Sequence, residues 1–285
     1  MAGRRQHHIP QFLLRGFADA SGTVQVIKSD GSSFAARTRN VGLEKDFYGK
    51  PGNGSTDAVI TVEEPRVAAI LAQLLETKPG IVSSDVAAQL VAHMSLRTAA
   101  WRAQTQGGIC EAVNQFGQRI QLPEGAHPLV KQIIETAIGD ALRISRERVA
   151  DEQLQLLRQH PTPPEAARNF ASMHYAVTEF GDQLVLPDAV VYAISERGTG
   201  VPLMGRGEET KAILLPLSAA RCLIGFHQFP FATTADEING YSFDASSSIV
   251  IAHPEWSANS SYMQRFGSGT RQFVNQVGAR FKAPR

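Results

Sequence analysis

The spacing of apolar and polar positions divides the chain into three stretches. In the first, Thr23-Val24-Gln25-Val26-Ile27 alternates with the period of a strand, Ser29-Asp30-Gly31-Ser32 has turn chemistry, and Phe34 to Thr38 can return as the second arm of a hairpin. Asn40 to Tyr48 follows, then a loop of glycine and small residues from Gly49 to Thr56. From Val62 to Leu75 the period lengthens, with Val67, Ile70, Leu71, Leu74 and Leu75 at helical spacing and Pro79-Gly80 as the stop. Ser83-Ser84-Asp85 then opens a second helix with Val86, Leu90, Met94 and Trp101 on its apolar side. Its other edge carries Gln89, His93 and Arg97 four residues apart, so all three project from one strip. Pro128 starts a long helix reaching about His160. Its first half (Ile133, Ile134, Ala137, Ile138, Ala141, Leu142) reads as core-facing, and its charge-laced second half, Arg143 to Arg158, reads as solvated. Thr162-Pro163-Pro164-Glu165 has the form of a capping box for a further helix that Gly181 stops. On that helix His174 shares a face with Phe170, Met173 and Val177 and reads as a core histidine.

The last third switches period again. Gln183 to Ile194, Ala212 to Leu217, Arg221 to Phe226 and Ser247 to Ala252 are β-branched or alternating runs. Pro187 and Pro216 within them imply edges, bulges or strand ends. A final helix, roughly Tyr262 to Phe281, is interrupted at Gly267-Ser268-Gly269. The class that follows is α+β, a helical middle packed on a mainly antiparallel sheet contributed by the N- and C-terminal segments. One domain spanning 1–285 is expected, divided into 1–58 (N-terminal motif and hairpin), 59–181 (helical region) and 182–285 (strand-rich region with the C-terminal helix).

Composition narrows the function classes. A net charge of +1 gives no global field toward nucleic acid or membrane. Basic charge is nevertheless uneven, since neither Met1–Phe17 nor Arg265–Arg285 contains an acid. Those termini read either as solvated or as flanking one anionic ligand. Two cysteines, Cys110 and Cys222, exclude a disulfide scaffold and any C-x-x-C metal spacing, and neither has a histidine near it in sequence. No apolar run reaches the roughly 18–20 residues that span a bilayer, and no signal-peptide pattern is present, so a cytoplasmic location is expected. Gly205-x-Gly207 and Gly267-x-Gly269 lack the strand-before, helix-after order of a phosphate loop. Glu63-Glu64 is explained as acidic charge at a helix start.

The chemistry concentrates in the first seventeen residues, where His7, His8, Arg15, Pro10, Phe12 and Phe17 stand close together. Histidine exchanges a proton near neutral pH, and arginine grips phosphate or carboxylate bidentately. His-His-Ile-Pro also occurs in histidine-metal-finger nucleases. Asn40 supplies the asparagine such a finger wants, but the next histidine, His93, falls on a helix far along the chain, and a strand sends His7 and His8 to opposite faces. The broader expectation is a composite site in which the N-terminal segment docks beside the Gln89–His93–Arg97 strip. It gathers His7, His8, Arg15, Glu44, His93 and Arg97 as catalytic candidates, with Gln11, Asn40, Tyr48, Arg102, Asp188 and Asn239 as ligand-binding ones.

The run His7-His8-Ile9-Pro10-Gln11-Phe12-Leu13-Leu14-Arg15-Gly16-Phe17 resembles the opening motif of a bacterial domain-of-unknown-function family, number 4238 in that series. Gly42-Leu43-Glu44-Lys45-Asp46-Phe47-Tyr48, Glu63 and Glu64, Leu96-Arg97-Thr98 with Arg102, Pro216-Leu217-Ser218, Asn239 and Ile249 to Ala252 extend the resemblance. Asp188 stands where the family shows Thr-x-Asp-x-Pro, with the flanking threonine and proline missing. The resemblance implies a fold family without an assigned reaction; a role in phage defence or as a toxin is expected of such orphan families. Together these readings give two expectations. One is metal-assisted hydrolysis of a nucleotide or nucleic acid by way of a divalent ion. The other is a non-catalytic ligand-binding or protein-interaction module in which Arg15, Arg97 and Arg102 recognise an anion.

Overall fold

The computed structural model describes residues 5–49, 55–120, 127–203, 210–228 and 231–280. The Gly205-x-Gly207 run and the last basic residues, Lys282 and Arg285, lie outside them.

The fold is α+β with antiparallel sheets, as the periodicity implies. A short strand β1 (Arg5–His7) leads into the one-turn helix α1 (Gln11–Leu14) and a 3-10 turn at Arg15–Phe17. The hairpin β2 (Thr23–Lys28) and β3 (Ser33–Arg37) forms as the alternation requires. After it, β4 (Leu43–Lys45) returns to pair with β1. The helical middle comprises α2 (Thr56–Glu76), α3 (Ser84–Leu96), α4 (Ala99–Gln118), α5 (Pro128–Gln159) and α6 (Pro164–Ala171), with a strand β5 (Gly80–Val82) between α2 and α3. The remainder supplies β6 (His174–Glu179), β7 (Leu186–Pro187), β8 (Tyr192–Ile194), β9 (Gly200–Pro202), β10 (Ala212–Pro216) and β11 (Arg221–Phe226). It ends with α7 (Ala235–Ala245), β12 (Ile249–Ala252), α8 (Ser260–Arg265) and α9 (Ser268–Arg280).

Two sheets result. One has the order β3-β2-β12-β7, so the C-terminal strand β12 inserts beside the N-terminal hairpin, and Pro187 sits on an edge strand. The other runs β5-β6-β11-β10-β8-β9, with Pro216 as the last residue of its strand. The main core joins Ile9, Leu13, Leu14 and Phe17 of the opening motif to Val67, Leu71 and Leu74 of α2, to Leu90, Val91 and Met94 of α3, and to Ile213, Leu223 and Ile251 of the sheets. The N-terminal segment is therefore core, not a frayed tail.

The structure departs from the sequence reading in the helical middle. The second helix breaks at Arg97-Thr98: Thr98 is extended, and its hydroxyl accepts the Trp101 N–H at 3.0 Å, capping a new helix. Trp101 therefore belongs to α4 and not to the α3 face. Replacing Thr98 with Ala should lower stability by about 1 kcal/mol, the usual loss for an N-cap, read as a shift in the urea midpoint at constant slope.

The halves of α5 are inverted relative to expectation. Ile133 and Ala137 of the half expected to face the core are exposed, whereas Val149, Gln153 and Leu157 in the charge-laced half are buried. The Thr162 hydroxyl does not cap α6, whose N-cap is Pro163, because it is committed elsewhere. That helix ends at Ala171, well before Gly181, and His174 opens a strand with its side chain exposed. Helix α7, which the sequence reading did not assign, is opened by a capping box: the Thr234 side chain accepts the Glu237 N–H, and Glu237 reaches back to the Thr234 N–H.

Candidate functional site

Arg97 follows the last residue of α3, where the break to α4 leaves it free to turn inward. Its side chain is 1 % exposed, and its nitrogens reach three elements. Nη2 donates to Glu64 Oε1 at 2.8 Å and to the His7 carbonyl at 3.0 Å; Nη1 lies 2.8 Å from His93 Nε2. A guanidinium only donates, so His93 Nε2 is bare and its proton sits on Nδ1. Nδ1 faces Thr162 Oγ1 at 3.1 Å, and the Thr162 hydroxyl donates to Glu63 Oε1 at 3.0 Å. Arg66 closes the line by donating to Glu63 and to Gln89. A polar relay thus runs from the buried Arg97 through His93 and Thr162 to the surface.

The electrostatics follow from burial. Desolvation works against the Arg97 charge, but Tyr48 and the Glu64 carboxylate outweigh it and hold its pKa above the ordinary value. His93 is held well below its ordinary pKa, first by desolvation and then by Arg97 and Arg66. His8 is pushed down to about 3 by the same burial, with Arg97, His7 and Arg102 adding to it. His7 is lowered less steeply: desolvation dominates and Glu64 opposes it. Both buried imidazoles, His8 and His93, are therefore neutral at pH 7.

The opening motif is held to this cluster through its backbone. Gly42 accepts the His8 and Ile9 N–H groups on its carbonyl. It adopts φ +62°, and a Cβ there would lie 2.7 Å from Ile9 Cβ, so only glycine allows the approach. Gln6 spans the same turn, its Oε1 accepting the Tyr48 N–H and its Nε2 donating to the Gly49 carbonyl. The Tyr48 hydroxyl donates toward the His7 and Arg97 carbonyls at 3.2 and 3.3 Å. His8 packs on the Phe47 ring, which carries the Arg102 guanidinium 4.0 Å above it. Arg102 Nε donates to Gln153 Oε1, and Gln153 returns its Nε2 to the Leu96 and Thr98 carbonyls across the helix break.

Three buried nitrogens in this cluster have no partner: Arg97 Nε, His7 Nδ1 and His8 Nδ1. Tyr48 also walls an open groove of about 730 Å³, floored by Ser55, Thr56, Leu154, Gln155 and Arg158.

Of the expected site, His7, His8, Tyr48, His93, Arg97 and Arg102 come together. Glu44 pairs across from Gln6 in β4 with an exposed side chain, yet its charge acts on Arg102. The others lie apart. Arg15 is exposed in the 3-10 turn, because the turn that buries Leu14 and Phe17 rotates it outward. Gln11 begins α1, half-buried, and Asn40 is exposed at the end of its own 3-10 turn. Asp188 accepts the Ser247, Ser248 and Ile249 N–H groups and the Ser248 hydroxyl, bracing β12. Burial raises its pKa against those bonds. Asn239 clamps Gln183 and Val185 and borders a separate polar cavity of about 320 Å³.

Sequence reasoning missed Glu64, Thr162, Phe47 and Gln153 as members of the cluster. Glu63 and Glu64 are not at a helix start but seven and eight residues into α2, aimed at arginines. Their spacing from Arg66 was a usable signal; Thr162 had none, since its i,i+3 pattern points to a cap.

Among the described residues, no group of three or more His, Cys, Asp or Glu side chains is placed to hold a metal ion. Nor is any described helix long and apolar enough to cross a membrane. A family model described as "Protein of unknown function (DUF4238)" matches residues 5–256. Neither the curated proteins nor the solved structures yield a match.

Proposed function

Because the chain belongs to the DUF4238 family, which is defined without a reaction, we propose its function from the site alone: a binding module for a small phosphate- or carboxylate-bearing molecule, of the nucleotide class, at the Arg97 cluster. The observation that carries this reading is that Arg97 Nε and His8 Nδ1 are both buried without a hydrogen-bond partner, in a cluster where Arg97 also bonds the His7 carbonyl. An orphaned buried donor costs about 1–3 kcal/mol, and a guanidinium N–H is relieved only by an acceptor, which a phosphate or carboxylate oxygen supplies. Arg97 and Arg102 supply the positive charge. Glu64, about a third exposed, occupies Arg97 as a carboxylate that an incoming anion displaces toward water. Tyr48 connects this cluster to the groove, whose polar floor accommodates the rest of the ligand.

The test is thermal denaturation and calorimetry with inorganic phosphate and with ribonucleotides, on wild type and Glu64→Gln. Ligand at 100 times its Kd stabilises by about 2.7 kcal/mol, a readily measured midpoint shift. Glu64→Gln removes the competing carboxylate, so it should bind phosphate roughly tenfold more tightly than wild type, a difference of about 1.4 kcal/mol. Arg15→Ala should bind as wild type does, since Arg15 lies away from the cluster. Equal midpoints with and without every anion, in both wild type and Glu64→Gln, would remove the reading. Product formation in the same incubations with Mg²⁺, Mn²⁺ or Zn²⁺ would add a hydrolytic step to the binding.

A further inference from the structure

Helices α4 and α5 form an antiparallel pair whose distal part leaves the body of the molecule. The base of α4 is covered by α9, with Gly107 and Gly108 against Val274 and Phe273. Beyond Ile109 the two helices hold mainly each other, as where Ile138 fills the space over Gly117. Bordering that seam, each helix carries a second apolar stripe with nothing on it. On α4 it is Ile109 and Phe116, continued by Ile120 two residues past the helix end; on α5 it is Val130, Ile133 and Ile144. Phe116 is 63 % exposed and Ile133 57 %, values foreign to side chains of that size on a solvated face. The intervals are three, four and seven residues, or their sums, which is the seam spacing of helices that pack against other helices.

We propose that this arm is the contact surface for a second copy of the chain, the two hairpins closing into an antiparallel four-helix bundle about a twofold axis. Area supports it. The exposed apolar side chains of the arm present on the order of 600 Å² per copy, at the top of what a monomer leaves uncovered, and two copies together reach the lower end of a standard interface. Charge selects the occupant. Among the described residues between Ile109 and Ile144, Glu111, Glu135 and Asp140 balance Arg119, Lys131 and Arg143. With a whole-chain net charge of +1, neither the arm nor the body repels its like, and the arm offers no basic face to nucleic acid or anionic lipid. The stripe needs helices opposite it, and a second hairpin supplies two of matching length.

Sedimentation velocity and light scattering of the full chain across a concentration series read the outcome. Wild type should be dimeric, and Phe116→Glu with Ile133→Glu should be monomeric, with the dimer dissociation constant raised roughly 30-fold or more. Both substituted side chains are mostly exposed, so the circular dichroism spectrum should be retained; if it is lost, Phe116→Ser alone decides by the same measurement. An Ala137→Cys variant should form a disulfide-linked dimer on mild oxidation. A monomeric wild type at high concentration, or a dimer that survives the folded double variant, overturns the proposal. So does co-sedimentation of monomeric wild type with phosphatidylserine-containing vesicles.

Discussion

Replacing Arg97 with Met should lower the free energy of unfolding by about 3–5 kcal/mol, the range for removing one partner of a buried ion pair. Against a typical total of about 5–15 kcal/mol, a substitution outside the sheets then takes away roughly a fifth or more of the stability. The loss has identifiable parts. Glu64 is partly exposed and recovers water, so its share is small. His93 Nε2 has no such recourse and loses the donor it held at 2.8 Å, while the His7 carbonyl loses its 3.0 Å donor and keeps only the Tyr48 hydroxyl. Because His7 is ninety residues from Arg97, the substitution also releases β1 from α3. Arg97→Lys should rescue little: a single ammonium cannot reproduce a fork that serves His93 on one arm and His7 with Glu64 on the other. Urea unfolding of wild type, Arg97→Met and Arg97→Lys checks this, and a wild-type midpoint in the lysine variant would show that charge alone sustains the cluster.

Acid should weaken the fold from pH 6.5 downward, before carboxylates begin to titrate. His8 has a folded pKa of about 3 against 6.5 for the free imidazole. Between those values the unfolded chain binds a proton that the folded chain refuses, so stability rises with pH and falls as pH drops. The slope is at most about 1.4 kcal/mol per pH unit for each such group. His93, depressed in the same direction, adds a second contribution of the same sign. His7, lowered less steeply, contributes with the same sign, so chemical denaturation at intervals between pH 7.5 and 5 should show a slope above the single-group value. In His8→Phe, which keeps a ring against Phe47, that slope should fall by up to one single-group contribution. An unchanged slope would mean that His8 is charged in the folded protein.

Much of the architecture was legible because it rests on period alone. The strand at Thr23–Lys28 alternates, which sets its face, whereas Ala212–Pro216 and Arg221–Phe226 are short, nearly continuous apolar runs of the kind that sit inside a sheet buried on both sides. What was not legible depends on partners distant in sequence. Arg97 interrupts a pattern that reads as continuous helix, and only a carboxylate and a carbonyl from residues 64 and 7 explain why the chain turns there. The α5 halves were inverted because apolar content cannot distinguish a face buried within the chain from one left open. Gln153, wholly buried in the charged half, shows the same limit from the other side. The site was half visible: the histidines and arginines declared their chemistry, but burial made His8 and His93 neutral, and a local turn carried Arg15 away from them.

The placement of β12 between β2 and β7 has a consequence for synthesis. Ile27 pairs with Val250, so the first hairpin has no permanent neighbour until roughly 220 further residues have left the ribosome, on the order of 10–45 s at common elongation rates. Through that interval Val24 and Val26, both fully native core residues, line an open strand edge that any nascent chain can extend. The last of these strands to be made is thus the one that seals the first hairpin.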